Sequence, residues 1–211
     1  SISKSTSRSF NVQSHQDPCE VLEHIIRVMI DFGGISSSKV GLRLTTKTSC
    51  SCGVISKSED NMTFFIVPAK ANTQLAIDKY LESEVLNNYQ CYFCSEKTKA
   101  NQEKVFTSLP EVLFLQLRRF KRINGLWKRN DSPVFCNKFI KIPLSHPTKS
   151  SNKPTSVTYR LVSALNHEGS MATGHYTATV VDRESGRLFL CNDARISHCK
   201  RFNPVSAYAL I

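Results

Sequence analysis

The chain reads as an α+β fold, mostly antiparallel sheet, with most of its helix in the first half. Three observations predict this. Val21, Leu22, Ile25, Ile26, Met29 and Ile30 form an apolar stripe at helical spacing near the start. From Val40 onward the spacing changes to short alternating or wholly apolar runs bounded by turn residues, which is the pattern of strands. Tight-turn signals such as Asn124-Gly125 join some of these runs, and such turns connect antiparallel neighbours.

The elements follow in order. Ser1 to Gln13 is Ser-rich and polar, and residues 1–15 are expected to be a flexible segment. Asp17 can cap a helix, Pro18 suits its first position, and Glu20 completes a capping box. Gly33-Gly34 ends that helix. Leu42 and Leu44 alternate with polar residues, and Phe64 to Val67 is a strand closed by Pro68. Thr73 to Leu86 carries Leu75, Ile77, Tyr80, Leu81 and Val85 at helical spacing. Lys104 to Phe106 and Val112 to Phe120 are strands separated by the Leu109-Pro110 turn, and Asn124-Gly125 marks a hairpin. Ser145 to Ser156 is a polar loop. Val157 to Leu165, Thr177 to Val181, Leu188 to Asn192 and Tyr208 to Ile211 complete a strand-rich second half.

Composition narrows the function. A chain of 211 residues supports one good-sized core, or one core with a subdomain. Apolar stretches such as Val112 to Leu115 are far too short to span a membrane, so no membrane partner is expected. The net charge is +11, with a local cluster at Arg118, Arg119, Lys121, Arg122, Lys128 and Arg129. That cluster reads as a solvated hairpin, and with no nucleic-acid motif beside it a nucleic-acid partner is not expected.

Eight cysteines with no secretory signal point to metal binding in a reducing compartment, cytoplasm or nucleus. Cys50-Ser51-Cys52-Gly53 and Cys91-Tyr92-Phe93-Cys94 are two close pairs. Each pair can sit on a tight turn with both sulfurs facing one ion, and four thiolates suit tetrahedral structural zinc. The first pair is spaced one residue short of the usual Cys-x-x-Cys. Cys19 begins a helix, but a lone cysteine on an element with an apolar face is read as structural.

The chemistry-bearing signal is Gly174-His175-Tyr176-Thr177-Ala178, followed by Asn192-Asp193. Asp182 to Gly186 reads as a turn between strands around Val180 and Phe189. His175 and Asn192 then meet at one end of the ladder. Histidine is the side chain suited to take a proton near neutral pH, and it works well when a third group fixes its ring. The pair requires a nucleophile, Cys or Ser, from elsewhere.

Several ordered motifs together resemble the ubiquitin-specific proteases. Gln16-Asp17-Pro18-Cys19-Glu20-Val21-Leu22 is similar to that family's Gln-Asp-x-x-Glu-Phe-Leu helix start. Leu109-Pro110-Glu111-Val112-Leu113-Phe114-Leu115-Gln116-Leu117-Arg118-Arg119-Phe120 resembles its Leu-Pro strand, and the cysteine pairs fall where its fingers zinc ligands lie. Tyr159-Arg160-Leu161, Asn166-His167-Glu168-Gly169, the Gly174 to Ala178 run, Asn192-Asp193 and Ala207 to Ile211 follow its His box in order.

The resemblance implies a papain-like cysteine protease fold with fingers and palm and a partial thumb. Residues 16–38 would be partial thumb, 39–108 mainly fingers with a zinc-ribbon-like tip, and 109–211 mainly palm. It implies hydrolysis of isopeptide bonds after the C-terminal glycine of ubiquitin, with ubiquitin or ubiquitinated proteins as partners. His175 would be the general base, Asn192 would orient it and Asp193 would support both. Asp17, Glu20, Gly174 and Tyr176 would border the channel for ubiquitin's basic tail. Cys50, Cys52, Cys91 and Cys94 would hold zinc. The family's Gly-x-x-Asn-x-x-Cys box, which carries the nucleophile, is not among these residues, so this polypeptide alone is expected to be inactive. The alternative is a catalytically inactive ubiquitin-binding module of the same family.

Overall fold

The structure is a computed structural model that describes residues 16–145, 155–170 and 173–211. The segment 1–15, expected to be flexible, and the centre of the 145–156 loop lie outside the described residues. Helix α1 (Pro18–Asp31) starts as its sequence dictates: Asp17 is the N-cap, the Cys19 N–H donates to its Oδ1 at 2.8 Å, and Pro18 occupies the first turn. Gly33, at φ +74°, turns the chain out of the helix. Only part of the apolar stripe is covered. Leu22, Ile26 and Ile30 face Val40, Phe64, Phe114 and Ile211, whereas Ile25, Val28, Met29 and Phe32 are exposed.

Strands β1 (Leu42–Cys50), β2 (Ile55–Met62), β4 (Glu84–Gln90) and β5 (Lys97–Ser108) form an antiparallel unit in the order β4-β5-β1-β2. Strands β9 (Phe139–Leu144) and β10 (Thr155–Arg160) extend the same sheet beyond β5. A second sheet of seven strands runs β14 (Arg195–Cys199), β13 (Leu188–Asn192), β12 (Gly174–Val181), β11 (Ser163–Gly169), β15 (Ala207–Leu210), β6 (Phe114–Arg118), β3 (Phe64–Pro68). Strands β7 (Phe120–Ile123) and β8 (Leu126–Arg129) make a separate hairpin. The β3–β6 and β5–β9 pairs are parallel, and every other paired neighbour is antiparallel.

The main core lies where the two sheets meet helix α2 (Thr73–Leu81). It joins Leu42 and Leu44 of β1, Phe65 and Val67 of β3, Ile77 of α2, Phe106 of β5, Leu115 and Leu117 of β6 and Ile142 of β9. Phe65 packs edge-on against Phe106 at 5.0 Å and Tyr80 at 4.9 Å. Burying one such side chain contributes roughly 1.5–3 kcal/mol, so this cluster is the chief stabiliser of the molecule.

The structure corrects several expected boundaries. Helix α2 stops at Leu81, and Val85 and Leu86, expected to be helical, pair with β5 as part of β4. Short apolar runs fit either period, and here tertiary pairing decides. The expected strand from Val157 to Leu165 is two strands, β10 and β11, in different sheets with Leu161-Val162 between them. β2, β9 and β14 carried no clear sequence signal. Two of these are outermost strands, and β2 reads Ser-Lys-Ser-Glu-Asp-Asn through its middle. Charge on an outer strand discourages pairing with another chain and erases the hydrophobic alternation.

Candidate active site and thiol cluster

β12 and β13 pair with Ala178 opposite Cys191 and Val181 opposite Leu188, so the start of β12 and the end of β13 lie together. The turn at Asp182–Gly186 closes as expected, with the Gly186 N–H donating to Asp182 O at 2.9 Å. This ladder brings His175 Nε2 to 2.7 Å from Asn192 Oδ1. A carbonyl oxygen only accepts, so Nε2 holds the proton and Nδ1 keeps its lone pair. Asp193 follows in a two-residue turn at φ +51°, a conformation Asp tolerates better than most residues. Its Oδ2 lies 3.9 Å from His175 Nε2, beyond hydrogen-bond reach. His175 is half exposed, with open space for a reacting partner.

Successive strand residues point to opposite faces, so Gly174 and Tyr176 face away from the His175 side chain. There they line a cavity of about 190 Å³ with Gln16, Asp17, Phe120, His167 and Tyr208. Three of the four residues expected at a tail channel, Asp17, Gly174 and Tyr176, therefore come together. Glu20 does not: it is exposed on α1 and does not line the cavity. The Tyr208 hydroxyl donates to Asp17 Oδ2 at 2.5 Å and accepts from Gln116 Nε2 at 2.8 Å. Asp17 thus caps its helix with one oxygen and fixes Tyr208 with the other. Burial, with Asp17 and Cys19 nearby, pushes the Tyr176 hydroxyl up to about 12, so it stays protonated.

His167 is the residue that sequence reasoning left without a role. It is 2% exposed, its Nδ1 has no hydrogen-bond partner, and its ring packs against Tyr176 at 4.6 Å and Phe120 at 5.6 Å. Burial first, then the Arg129 charge, lowers its pKa from the usual imidazole value, which keeps it neutral. Its Nε2 would lie 2.1 Å from a Cβ at position 174, so only glycine fits there. Gly174 is therefore required by the imidazole behind it, whatever else it contacts.

Arg119 corrects the reading of the basic cluster as solvated. It is fully buried and donates to Ala207 O at 2.6 Å, Asn130 O at 3.0 Å, Ser132 O at 2.9 Å and Pro204 O at 2.7 Å. Burial, then repulsion from Arg129, lowers its pKa to about 10. Arg129 in turn donates to His167 O at 2.7 Å and Val205 O at 3.0 Å and pairs with Asp131. These two guanidiniums tie down backbone carbonyls at His167 and beside Tyr208, two of the residues that line the cavity. Strand parity carried the signal, since Leu115, Leu117 and Arg119 share the inward period of two.

The four paired cysteines also converge. The β1–β2 turn carries Cys50 and Cys52, with Gly53 at φ +91°, and the β4–β5 turn carries Cys91 and Cys94. All four sulfurs lie within 4.8 Å of one another, with Cys50–Cys94 at 4.0 Å and Cys52–Cys91 at 3.8 Å. A tetrahedral zinc with Zn–S near 2.3 Å needs sulfurs about 3.8 Å apart, so the set fits zinc and is far too open for disulfides. Cys50 is the residue of β1 that turns inward to the cluster, despite the short spacing. The N–H groups of Cys94 and Phe93 lower the Cys91 thiol to about 7, whereas the neighbouring Cys52 and Cys94 thiols are raised, so one thiol of the set gives up its proton most readily.

None of the remaining cysteines is disposed as a nucleophile. Cys19 is buried against Tyr208 and Ala209, and burial pushes its thiol well above the ordinary range. Burial also raises Cys136, to about 11. Cys199, opposite Leu188, lies at the end of the ladder far from His175. Cys191 adjoins Asn192, but alternation along β13 turns its side chain to the face opposite that of Asn192.

Comparison with known proteins gives a consistent picture. A family model described as ubiquitin carboxyl-terminal hydrolase matches residues 1–211. Ubiquitin carboxyl-terminal hydrolase 25 of Arabidopsis thaliana is 28% identical over 164 residues, covering 74% of this chain and 24% of that protein. Ubiquitin carboxyl-terminal hydrolase 26 of Oryza sativa subsp. japonica is 31% identical over 161 residues, covering 71% of this chain and 15% of its own length. Ubp8, in the structure of the SAGA Ubp8/Sgf11/Sus1/Sgf73 DUB module bound to ubiquitin aldehyde, superposes with a TM-score of 0.79 at 22% identity. That match covers 93% of this chain and 49% of the other. The chain thus spans about a quarter or less of those two curated relatives. The fold is that of a ubiquitin-specific protease, mostly sheet with a cysteine cluster at the tip of one subdomain. With a family match along its whole length and the expected motifs in one fold, this chain belongs to the ubiquitin carboxyl-terminal hydrolase family, as a ubiquitin-specific protease catalytic domain.

Proposed function

We propose that this chain carries the base and its orienting group for a cysteine-type deubiquitinase. The observation that carries this reading is the 2.7 Å contact between His175 Nε2 and Asn192 Oδ1, which leaves Nδ1 as the free base. Nδ1 takes the proton of an attacking thiol, and Asn192 and Asp193 stabilise the imidazolium that results. The thiolate adds to the carbonyl carbon of ubiquitin's C-terminal glycine. Collapse breaks the C–N bond, and His175 returns its proton to the departing lysine amine. Water then cleaves the thioester. The thiol comes from outside this chain's eight cysteines, whose burial and placement support that reading.

Ubiquitin is the partner in this reading. Asp17, Gly174 and Tyr176 border the route of its tail, with Phe120, His167 and Tyr208 completing the wall. Both Asp17 oxygens already accept one bond each, yet a carboxylate offers about four lone-pair directions, so a substrate guanidinium can still pair with it. Residues 16–38 serve as partial thumb, 39–108 as fingers and 109–211 as palm. Zinc held by Cys50, Cys52, Cys91 and Cys94 supplies a structural crosslink between two turns, with no part in the chemistry. Eight unpaired thiols suit the cytoplasm or nucleus.

The cysteine placement also keeps a second reading in play, that of a ubiquitin-binding module without activity. The two separate in the longest natural protein containing these residues. Cleavage of a ubiquitin conjugate, lost on His175→Ala with ubiquitin binding retained, supports the enzyme. Binding without cleavage supports the module.

A further inference from the structure

The β7–β8 hairpin stands apart from both large sheets. Directly opposed residues share a face, which puts Phe120, Arg129, Arg122 and Trp127 on one side and Lys121, Lys128, Ile123 and Leu126 on the other. The near end is docked. Phe120 packs against His167 at 5.6 Å and Tyr208 at 6.5 Å, and Arg129 donates to His167 O and Val205 O. The far end projects, with Ile123 44%, Leu126 69% and Trp127 55% exposed around the Asn124-Gly125 turn. Behind that apolar tip, Lys121, Arg122 and Lys128 are exposed. Between Arg118 and Asn130 there is no acidic residue, and among the described residues no ion pair engages these three side chains. Lys121 and Lys128 lie directly opposite one another, an arrangement that destabilises a hairpin in isolation and is relieved by an anion lying against it.

We propose that this hairpin docks the protein on an anionic phospholipid surface. Ile123, Leu126 and the Trp127 indole enter the boundary between headgroups and acyl chains, and Lys121, Arg122 and Lys128 sit at the phosphates. The chain's net charge of +11 favours the same surface from a distance. Two of the three tip residues are aliphatic. They gain from burial in acyl chains and offer no ring for stacking on bases, so lipid is favoured over single-stranded nucleic acid. Among the described residues, no helix is long and apolar enough to cross a membrane. Surface docking needs none, and it would add a membrane partner that the sequence does not lead one to expect.

Trp127 is the only tryptophan in the chain, so its fluorescence reports on this hairpin alone. The purified protein is titrated with vesicles of phosphatidylcholine, with and without phosphatidylserine, and vesicle binding is read in parallel by sedimentation. The expected result is a blue shift of Trp127 and co-sedimentation with the phosphatidylserine vesicles only, both weakened by added salt. Lys121→Glu with Lys128→Glu should weaken that binding roughly ten-fold or more while the circular dichroism stays unchanged. Leu126→Asp should remove the blue shift at an otherwise intact charge cluster. The proposal is overturned if the emission stays unshifted with phosphatidylserine vesicles, if phosphatidylcholine alone binds equally, or if the charge-reversed variant binds as well as the original. Tighter binding to a single-stranded oligonucleotide than to the anionic vesicles, at the same salt, overturns it in favour of nucleic acid.

Discussion

The proton on His175 has a defined place because Asn192 accepts from Nε2 at 2.7 Å while Asp193 stays at 3.9 Å. The two neighbours should therefore differ in weight. In a natural protein that includes these residues and cleaves ubiquitin conjugates, His175→Ala should lower kcat by about 10²–10⁴-fold. Asn192→Ala should cost more than Asp193→Ala, and steady-state kinetics of the three variants check the order. His167 yields a pH prediction. Its folded-state pKa is lowered, so its contribution to stability is complete above the unfolded value near 6.5 and is lost as pH falls below that. The urea midpoint should decline below about pH 6.5, and His167→Phe should flatten that part of the decline. Arg119→Ala would strip four carbonyls of a buried donor, with a loss of about 3 kcal/mol or more measurable by chemical denaturation. The sequence announced His175 and Asn192 because a hairpin spaces them. It left His167 unassigned and read Arg119 as solvated because the neighbours that bury them, Phe120 and Tyr208 for the first and the carbonyls of 204 and 207 for the second, belong to segments far away in the chain.

Among the elements, the β1–β2 and β4–β5 turns are placed by the order β4-β5-β1-β2, and their four thiols meet only because β1 and β5 pair. Zinc in that site would tie the turns together and stabilise this unit more than the core around Phe65. The purified protein should carry about one zinc per chain, and removing it with a chelator should lower Tm. Cys50→Ser should abolish stoichiometric zinc while leaving the β12–β13 hairpin as it is. Finding full zinc occupancy in Cys50→Ser would mean that another ligand completes the site. Strands β6, β12 and β13, inside their sheet, and β3, at its edge but with Phe65 and Val67 buried, were legible because burial writes apolar runs into them. The outer strands β2 and β14 were not, since the pressure there is to stay charged and unpaired. α2 was overextended by the same ambiguity, with Val85 and Leu86 keeping the helical spacing until β5 claims them.

As a whole, the molecule places its histidine at the end of one sheet and its thiol cluster at the tip of the other, with the aromatic core at their junction holding the two in register. Neither the antiparallel bias nor the core required recognition of a family, since both follow from apolar periodicity and turn chemistry. The order of motifs supplied the family, and the cavity bordered by Asp17, Tyr176 and Tyr208 emerged only when distant segments folded together. The central claim is that the His175–Asn192 pair serves a thiol lying outside these eight cysteines. The direct measurement is turnover of a fluorogenic ubiquitin substrate, run side by side on residues 1–211 and on the longest natural protein containing them, each with and without His175→Ala. The account predicts turnover by the longer protein, lost with His175→Ala, and none by residues 1–211. Turnover by residues 1–211 that His175→Ala abolishes would contradict it, because one of the eight cysteines would then be the nucleophile.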